Sequence, residues 1–281
     1  MIHEITPSKF CNAYKVMPPK PTSIALYYEE NLSLVKNTSQ GIEFAQFKDL
    51  EEIHQDIYDK WIYLFSVDGE GYYLISSLVL EGVANFKMES IAVFRNSIYH
   101  KEAFAGITGY QLYNWYRSNK YCNTCSNTLV KDDKERMLLC EKCGQMIYPR
   151  LNPAVIIGVT HGNRILLSQY ANRYHNNYAL LAGFVEVGES LEEAVIREVM
   201  EEVGLHVTNV RYYKSQPWPF TDSILMGFYC DLADGNGEVT LDKEELALAR
   251  WFEREDIPVK PSRDSLTNEM IIHFKNGHLP F

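Results

Sequence analysis

Long apolar runs are missing from this sequence. The longest, around Pro153–Val159, is far shorter than the ~20 residues that a membrane-spanning helix needs. The first residues, Met1–Pro7, also lack the basic segment followed by an apolar segment that marks a secretion signal. The sequence therefore predicts a cytoplasmic protein with no membrane association.

Positive charge is also in short supply. The 27 Lys and Arg are outnumbered by 37 Asp and Glu, which gives a formal net charge of −10. Broad electrostatic binding to nucleic acid or to anionic lipid depends on basic residues that neutralise phosphate, so this balance disfavours it. An anionic substrate would need a cation held locally.

The composition that remains is that of a folded protein. Hydrophobic residues make up 46% of the chain, aromatic residues 13% and charged residues 23%, which excludes an intrinsically disordered or collagen-like protein. The length of 281 residues exceeds one average domain of ~100–150 residues, so two or three domains are expected.

Four of the six cysteines form two CxxC pairs. Cys122, Cys125, Cys140 and Cys143 are spaced C-x2-C-x14-C-x2-C. In a chain without a secretion signal this spacing predicts a tetrahedral zinc site, with two thiolates from each turn. Because four protein ligands leave no position for water, the zinc would be structural. Buried or disulfide-bonded cysteine pairs are the alternative.

The cysteine segment divides the chain into three predicted domains: a mostly β N-terminal domain at 1–118, a zinc ribbon at 119–150 and a third domain at 151–281. Short runs of β-branched and aromatic residues precede the ribbon, with Asp68-Gly69 as a hairpin turn signal between two of them. Helical spacing over Ala103–Arg117 leads into the ribbon.

After the ribbon, strand-like runs are interleaved with two helical patterns, at about Leu191–Val203 and Leu266–Phe274. This interleaving predicts an α/β or α+β sandwich for the third domain and an α+β fold class for the whole chain. The first of these helices has signals at both ends, since Ser190 and Glu193 match a capping box and Gly204 supplies a C-terminal stop.

The helix at Leu191–Val203 and the loop before it are strongly acidic. Such a charge run, taken alone, is most often a solvated surface. On a helical wheel, however, Glu198 and Glu202 continue the stripe that is apolar in the preceding turns. We therefore expect these two carboxylates to face the body of the protein.

Two inward carboxylates one turn apart repel each other and lose hydration unless a cation neutralises them. Carboxylate oxygens without nearby His or Cys favour a hard ion, so Glu198 and Glu202 predict a Mg²⁺ or Mn²⁺ site. Arg197 precedes Glu201 by four residues, so the two can pair along the helix surface. Gly183 and the loop Phe184–Gly188 lead into the helix with little bulk, and such a loop can expose a backbone carbonyl to the same ion.

The 23 residues from Gly183 to Leu205 resemble the Nudix box. The residues that carry the resemblance are Gly183, Glu189, Arg197, Glu198, Val199, Glu201, Glu202, Gly204 and Leu205. Ser215–Phe220 reads SQPWPF and is similar to the array of the NADH pyrophosphatase branch of Nudix hydrolases, which also carries a four-cysteine ribbon before its Nudix domain. The resemblance covers about residues 115–265 and implies an α/β/α sandwich for the third domain.

The resemblance implies a set of metal ligands and a catalytic cluster. The ligands would be Glu198, Glu202, the Ala182 carbonyl and Glu245, with the adjacent Glu244 as an alternative to Glu245. Arg197 and Glu201 would complete the cluster. Which glutamate accepts the proton of the attacking water stays open among Glu198, Glu201 and Glu202.

The resemblance also implies substrate contacts, which are Glu135, Tyr148, Phe184, Gln216, Pro217, Trp218, Pro219, Phe220, Thr221, Asp222, Ser223 and Thr267. The prolines beside Trp218 predict an irregular, partly exposed segment. Thr221 and Thr267 depart from the residues usual in the branch. Because pocket shape discriminates between substrates while the metal cluster cleaves the bond, these departures bear on substrate preference rather than on hydrolysis.

The activity implied by the resemblance is metal-dependent hydrolysis of the diphosphate of NADH or NAD⁺ to NMN(H) and AMP, with removal of NAD caps from RNA as a further activity of the branch. The partners implied are NADH or NAD⁺, NAD-capped RNA and a second copy of the chain in a homodimer. Two alternatives stay open: hydrolysis of ADP-ribose or a dinucleoside polyphosphate, and a non-catalytic zinc-ribbon sensor of a nucleotide.

Overall fold

The computed structural model describes residues 1–39, 41–83, 85–95, 97, 99–171 and 177–278. The chain divides into two compact units. One comprises Ile2–Arg150 and the other comprises Leu151–Phe281 together with Met1. The described residues include no helix both long and apolar enough to cross a membrane. Strands far outnumber helices in both units, which confirms the predicted α+β class.

The first unit begins with nine short strands in two sheets. They are β1 (Phe10–Cys11), β2 (Ile24–Leu26), β3 (Tyr28–Glu29), β4 (Leu32–Thr38), β5 (Gly41–Glu43), β6 (Ala45–Gln46), β7 (Trp61–Val67), β8 (Glu70–Ile75) and β9 (Lys87–Ser90). One sheet has the order β1-β7-β8-β2-β6, and in the other β4 pairs with β3, β5 and β9. Asp68 and Gly69 both have positive φ between β7 and β8, which confirms the predicted hairpin turn.

Two helices complete this part of the unit, α1 (Phe47–Leu50) and α2 (His100–Ser118). The second extends the predicted helix by three residues at its start and one at its end. The ribbon follows as the antiparallel strands β10 (Val130–Lys131), β11 (Leu138–Leu139) and β12 (Met146–Ile147). Its small core contains Leu129 and Leu138 together with Trp115 of α2.

The second unit is built on a six-stranded sheet. Its strands are β13 (Asn152–His161), β14 (Arg164–Tyr170), β15 (Leu181–Phe184), β16 (Val207–Trp218), β17 (Ser223–Leu232) and β18 (Leu246–Glu253). The order is β16-β17-β13-β14-β18, and β15 pairs with the N-terminal part of β13. Strands β13 and β17 are parallel, whereas the other pairs are antiparallel.

Two helices cover opposite faces of this sheet, α3 (Leu191–Val203) and α4 (Leu266–Lys275). Alternate residues of β13 sort to the two faces, because successive strand side chains point in opposite directions. Val155 and Ile157 pack with α3, in what we term the α3-side core. Ile156 packs with α4, in the α4-side core. The α/β/α sandwich predicted for this part of the chain is confirmed.

Two local features differ from the sequence-based expectation. Strand β18 was not among the predicted runs, because its polar and apolar residues lack a clean alternation. The segment around Trp218, expected to be irregular, continues strand β16 as far as Trp218 and only then turns. Pro217 is tolerated within it because β16 is the edge strand, where a missing N–H costs no ladder hydrogen bond.

Candidate active site

The acidic helix α3 has the ends that the sequence predicted. The Ser190 hydroxyl accepts a hydrogen bond from the Glu193 amide at 3.3 Å, and the Glu193 carboxylate accepts one from the Ser190 amide at 2.8 Å. Gly204 closes the helix in the left-handed conformation, at φ 66°. These caps fix where the helix begins and ends, and therefore which side chains face the sheet.

Glu198 and Glu202 face inward, as the helical wheel predicted. Their exposed fractions are 8% and 1%, and they sit on the same side of α3 as the α3-side core. The exposed glutamates of the helix, such as Glu192 and Glu201, make up the solvated acidic face that charge count alone favours. The helix therefore presents two acidic surfaces with different surroundings.

The buried carboxylate of Glu202 is in an energetically unfavourable position. Neither of its oxygens makes a hydrogen bond to the described residues. Burial raises its pKa to about 8, and the negative charges of Glu198 and Glu245 add to the rise. The Ala182 backbone opposes this rise in pKa, but it makes no hydrogen bond of normal geometry to the Glu202 carboxylate. A buried carboxylate without hydrogen-bond partners favours the binding of a cation, because the cation neutralises its charge.

Glu198 is held in place from two sides. Burial raises its pKa, while the adjacent Arg197 guanidinium opposes the rise. A Cβ atom at Gly183 would overlap the Glu198 carboxylate, so β15 approaches α3 this closely only because residue 183 has no side chain. The close contact between residue 183 and the Glu198 carboxylate thus explains why the sequence signature contains both Gly183 and Glu198.

Arg197 uses every N–H of its guanidinium. It donates from Nε and Nη2 to the two oxygens of Glu189, at 2.7 and 2.9 Å. Nη1 donates to Glu198 Oε1 at 2.7 Å and to Glu201 Oε2 at 2.9 Å, and Nη2 also donates to the Phe184 carbonyl at 3.0 Å. Bidentate, charge-assisted bonds of this kind fix geometry as well as adding stability. We term these contacts the Arg197 clamp. They join the loop after β15 to the inward face of α3, which carries Glu198.

The predicted pair between Arg197 and Glu201 is confirmed, but the stronger partner is Glu189. The hydrogen bonds that Glu189 accepts from Arg197, together with one from the Glu186 amide, lower the pKa of Glu189 to about 2. Helical spacing could not identify this partner, since Glu189 lies eight residues before Arg197 and outside the helix. The only sequence signal was its fixed place in the Nudix box.

Glu245 approaches the buried pair from a separate loop. The Asp242 amide donates to the Glu202 carbonyl at 3.0 Å, which ties this loop to the last turn of α3. Glu245 is exposed, and its charge contributes to the raised pKa values of Glu198 and Glu202. Among the described residues, however, only the four cysteines bring three or more ligand atoms within 4.8 Å of one another.

The second candidate metal centre is the ribbon. The Sγ atoms of Cys122 and Cys143 are 3.5 Å apart, and those of Cys125 and Cys140 are 3.4 Å apart. All four cysteines are free, which rules out the disulfide alternative. A zinc tetrahedron with bonds of 2.3 Å has sulfur–sulfur edges of about 3.8 Å, so the cluster fits zinc closely.

Matching turns present the two cysteine pairs of the ribbon. The Ser126 amide donates to the Cys122 carbonyl at 2.9 Å, and the Gly144 amide donates to the Cys140 carbonyl at 2.8 Å. Ser126 and Gly144 both adopt positive φ. The same backbone turn therefore occurs twice, which explains why each pair has the spacing CxxC.

The predicted substrate segment of the second unit forms the end of the sheet. Trp218 and Phe220 are half-buried, with ring centroids 5.0 Å apart, and Phe184 is 55% exposed. Pro219, Ser223 and Gln216 are buried, whereas Thr221 is exposed and Pro217, Asp222 and Thr267 are intermediate. The Ser223 hydroxyl donates to the Thr221 carbonyl at 3.0 Å, which tightens the turn between β16 and β17.

Glu135 and Tyr148 lie in the first unit, where the Tyr148 hydroxyl donates to Glu135 Oε2 at 2.7 Å. The structure thus brings these two residues together. Their predicted contact with substrate stays a prediction, as do the roles of the other site residues.

A family model described as "NUDIX domain" matches residues 150–273. This part of the chain therefore matches the family that Gly183–Leu205 resemble, and that resemblance is confirmed. A protein named "NAD-capped RNA hydrolase NudC" from Klebsiella pneumoniae subsp. pneumoniae is 42% identical over 163 residues, which cover 58% of this chain and 63% of that protein. A protein of the same name from Photorhabdus laumondii subsp. laumondii is 41% identical, with the same coverage.

The chain therefore spans about 63% of the length of these curated relatives. One solved structure, of a NUDIX hydrolase from Nitrosomonas europaea, matches with a TM-score of 0.48 at 22% identity and covers 57% of this chain and 92% of that one.

Proposed function

We propose that this protein hydrolyses the diphosphate of NADH or NAD⁺ and releases NMN(H) and AMP. The observation that carries the proposal is the buried pair Glu198 and Glu202, held beside Gly183 with both Glu202 oxygens unpartnered among the described residues. The names of the relatives, which are NAD-capped RNA hydrolases, support a dinucleotide substrate.

Each residue of the cluster has a distinct task in the proposed reaction. Glu198 and Glu202, with Glu245 and the Ala182 carbonyl, would hold the divalent ions. Bound ions of this kind neutralise diphosphate oxygens and lower the pKa of water. Arg197 holds Glu198 and Glu201 in one arrangement, and a glutamate of the cluster accepts the proton of the attacking water. The exposed ring of Phe184 offers a flat face to a base.

The hard-ion assignment follows from the donors. The cluster on α3 offers carboxylate oxygens, which suit Mg²⁺ or Mn²⁺, whereas the ribbon offers four thiolates, which suit Zn²⁺. We therefore propose Mg²⁺ or Mn²⁺ as the catalytic ion and Zn²⁺ as a structural ion. Elemental analysis of the purified protein should find one zinc per chain, and activity should depend on added Mg²⁺ or Mn²⁺.

The test of the reaction is chromatographic identification of products after incubation with NADH and Mg²⁺ or Mn²⁺. AMP and NMNH in equal amounts are expected. Glu202→Gln should abolish product formation, whereas Glu192→Gln, which changes an exposed carboxylate of the same helix, should leave the rate unchanged. Full activity in Glu202→Gln would refute the metal assignment. Binding of NADH without any hydrolysis by the wild type would indicate a sensor.

The substrate range is tested by the same products. Comparing kcat/KM for NADH, NAD⁺, ADP-ribose and a dinucleoside polyphosphate will decide between the proposal and its enzymatic alternative. A short RNA with a 5′ NAD cap tests the activity named in the relatives. Release of NMN from this RNA is expected, and much faster hydrolysis of ADP-ribose than of NADH would favour the alternative.

We also propose a homodimer, a cytoplasmic location and the three-domain division at residues 118 and 150. These proposals rest on the resemblance to the NADH pyrophosphatase branch and on sequence patterns. Sedimentation of the full chain tests the first, and a mass of 32.5 kDa in solution would contradict it.

A further inference from the structure

Gln216 is a buried polar residue with a contact pattern that the predicted role does not explain. It has no exposed surface, although it belongs to the segment predicted to contact substrate. Its Nε2 donates to the Asp264 carbonyl at 2.9 Å, and its Oε1 accepts from the Leu266 amide at 2.6 Å. Both ends of the side-chain amide are thus committed to the backbone of one segment, Asp264–Leu266.

That segment begins helix α4. Amides in the first turn of a helix have no partner within the helix. Ser265, the N-cap residue, accepts from the Asn268 amide at 3.2 Å, and Gln216 accepts from the Leu266 amide. The start of α4 is therefore capped from two directions, by its own N-cap residue and by a residue of strand β16.

The pairing register shows where this segment lies on the sheet. Leu225 of β17 pairs with Gln216 on one side and with Ala154 on the other, and Ala154 pairs with Phe184. Leu225 packs in the α4-side core, so this row of residues faces α4. Trp218 lies two residues after Gln216 without a register shift and faces the same way.

The segment covers the next row of the sheet. A Cβ atom at Gly227 of β17 would lie 3.2 Å from Leu266 Cδ2, so Leu266 rests directly on this strand. The start of α4 is therefore fixed above β17, on the face that carries the predicted ring contacts Phe184 and Trp218. Thr267, another predicted contact, follows Leu266 immediately.

We infer that Gln216 is a positioning residue, which holds the segment Asp264–Thr267 against the end of strand β16 and thereby sets the fit of a substrate ring on this face. It does so without touching the substrate, because no part of it reaches the surface. The inference rests on the proposed hydrolysis of a dinucleotide, with Thr267 at the ring site.

The test compares two replacements in the full chain. Gln216→Met keeps the length of the side chain and removes both hydrogen bonds. Gln216→Glu keeps the acceptor for the Leu266 amide but places an oxygen against the Asp264 carbonyl. Gln55→Met, at an exposed glutamine of the other unit, is the matched control.

Two readouts separate positioning from other roles. Hydrogen exchange at the Leu266 amide should accelerate about tenfold or more in Gln216→Met and less in Gln216→Glu, which retains that acceptor. The KM for NADH should rise about tenfold in Gln216→Met while kcat stays within about threefold, because the metal cluster on the other face is unchanged. Gln55→Met should change neither.

Unchanged exchange at Leu266 and unchanged KM in Gln216→Met would overturn the inference, as would a fall in kcat with KM unchanged. If Gln216→Met does not fold, Gln216→Glu provides the same two readouts. A wild type that does not hydrolyse NADH would overturn the proposed function, yet the exchange measurement would still show whether Gln216 holds the segment.

Discussion

Replacing Glu202 by glutamine tests how the buried carboxylate affects stability. Its pKa rises from an ordinary 4.5 to about 8 in the folded protein. Well below pH 4.5 the residue is protonated in both the folded and the unfolded chain, so its titration does not change the free energy of unfolding there. Between pH 4.5 and 8 the unfolded chain loses the proton and the folded protein keeps it, so the free energy of unfolding falls as pH rises.

The size of the effect follows from the same shift. At about 1.4 kcal/mol per pH unit, Glu202 costs the ion-free protein about 3 kcal/mol at pH 7 and about 5 kcal/mol well above pH 8. A buried glutamine avoids the charge, and its amide without partners costs about 1–3 kcal/mol, which is similar to the cost of the neutral carboxyl that it replaces. Glu202→Gln should therefore stabilise the ion-free protein by about 4 kcal/mol at pH 8 and by less than about 1 kcal/mol at pH 5.

The assay is urea unfolding at pH 5 to 8 in buffer depleted of Mg²⁺ and Mn²⁺, with retained zinc verified. Hydrogen exchange of the amides within Leu191–Val203, measured under the same conditions, shows whether the unfolding transition includes this helix. Glu192→Gln, an exposed change on the same helix, should show no pH-dependent difference from the wild type. Added Mn²⁺ should reverse the order, because it stabilises only the protein that binds it. A Glu202→Gln difference that is constant from pH 5 to 8 would refute the reasoning.

Three further variants test the contacts around this carboxylate and the ribbon. Gly183→Ala should lower kcat at least about 100-fold, because the added methyl displaces the Glu198 carboxylate. The far-ultraviolet circular dichroism should stay unchanged. A wild-type kcat would show that residue 183 does not contact the Glu198 carboxylate. Arg197→Lys should lower kcat about 10- to 100-fold, since an ammonium cannot replace the bidentate contact to Glu189. A kcat equal to that of the wild type would show that the Arg197 clamp is dispensable. Cys140→Ser should lose zinc and become sensitive to proteolysis within residues 119–150. A variant that lacks zinc but resists the protease would contradict the structural role of the ion.

The arrangement around Arg197 shows why the Nudix box is compact in sequence. The clamp must reach the loop after β15, through Glu189 and the Phe184 carbonyl, and also the inward face of α3, through Glu198. The loop joins the strand directly to the helix, and this brings all three groups within reach of one guanidinium. The short spacing between Gly183 and Glu198 is consistent with this geometry.

Local patterns determined much of this protein. The capping box and Gly204 fixed the ends of α3, and the wheel position of Glu198 and Glu202 determined that they face inward. The CxxC spacing determined the thiolate cluster, because each pair closes one tight turn. These features depend on neighbours within a few residues, where backbone geometry leaves few choices.

Contacts between distant residues were decided only by the tertiary structure. The partnership of Arg197 with Glu189, the approach of Gly183 to Glu198 and the hold of Gln216 on the start of α4 each join separate elements. None has a periodicity that a sequence could display. The pKa of Glu202 belongs to the same class, since it depends on how completely the sheet, the helix and the Glu245 loop exclude water from one carboxylate.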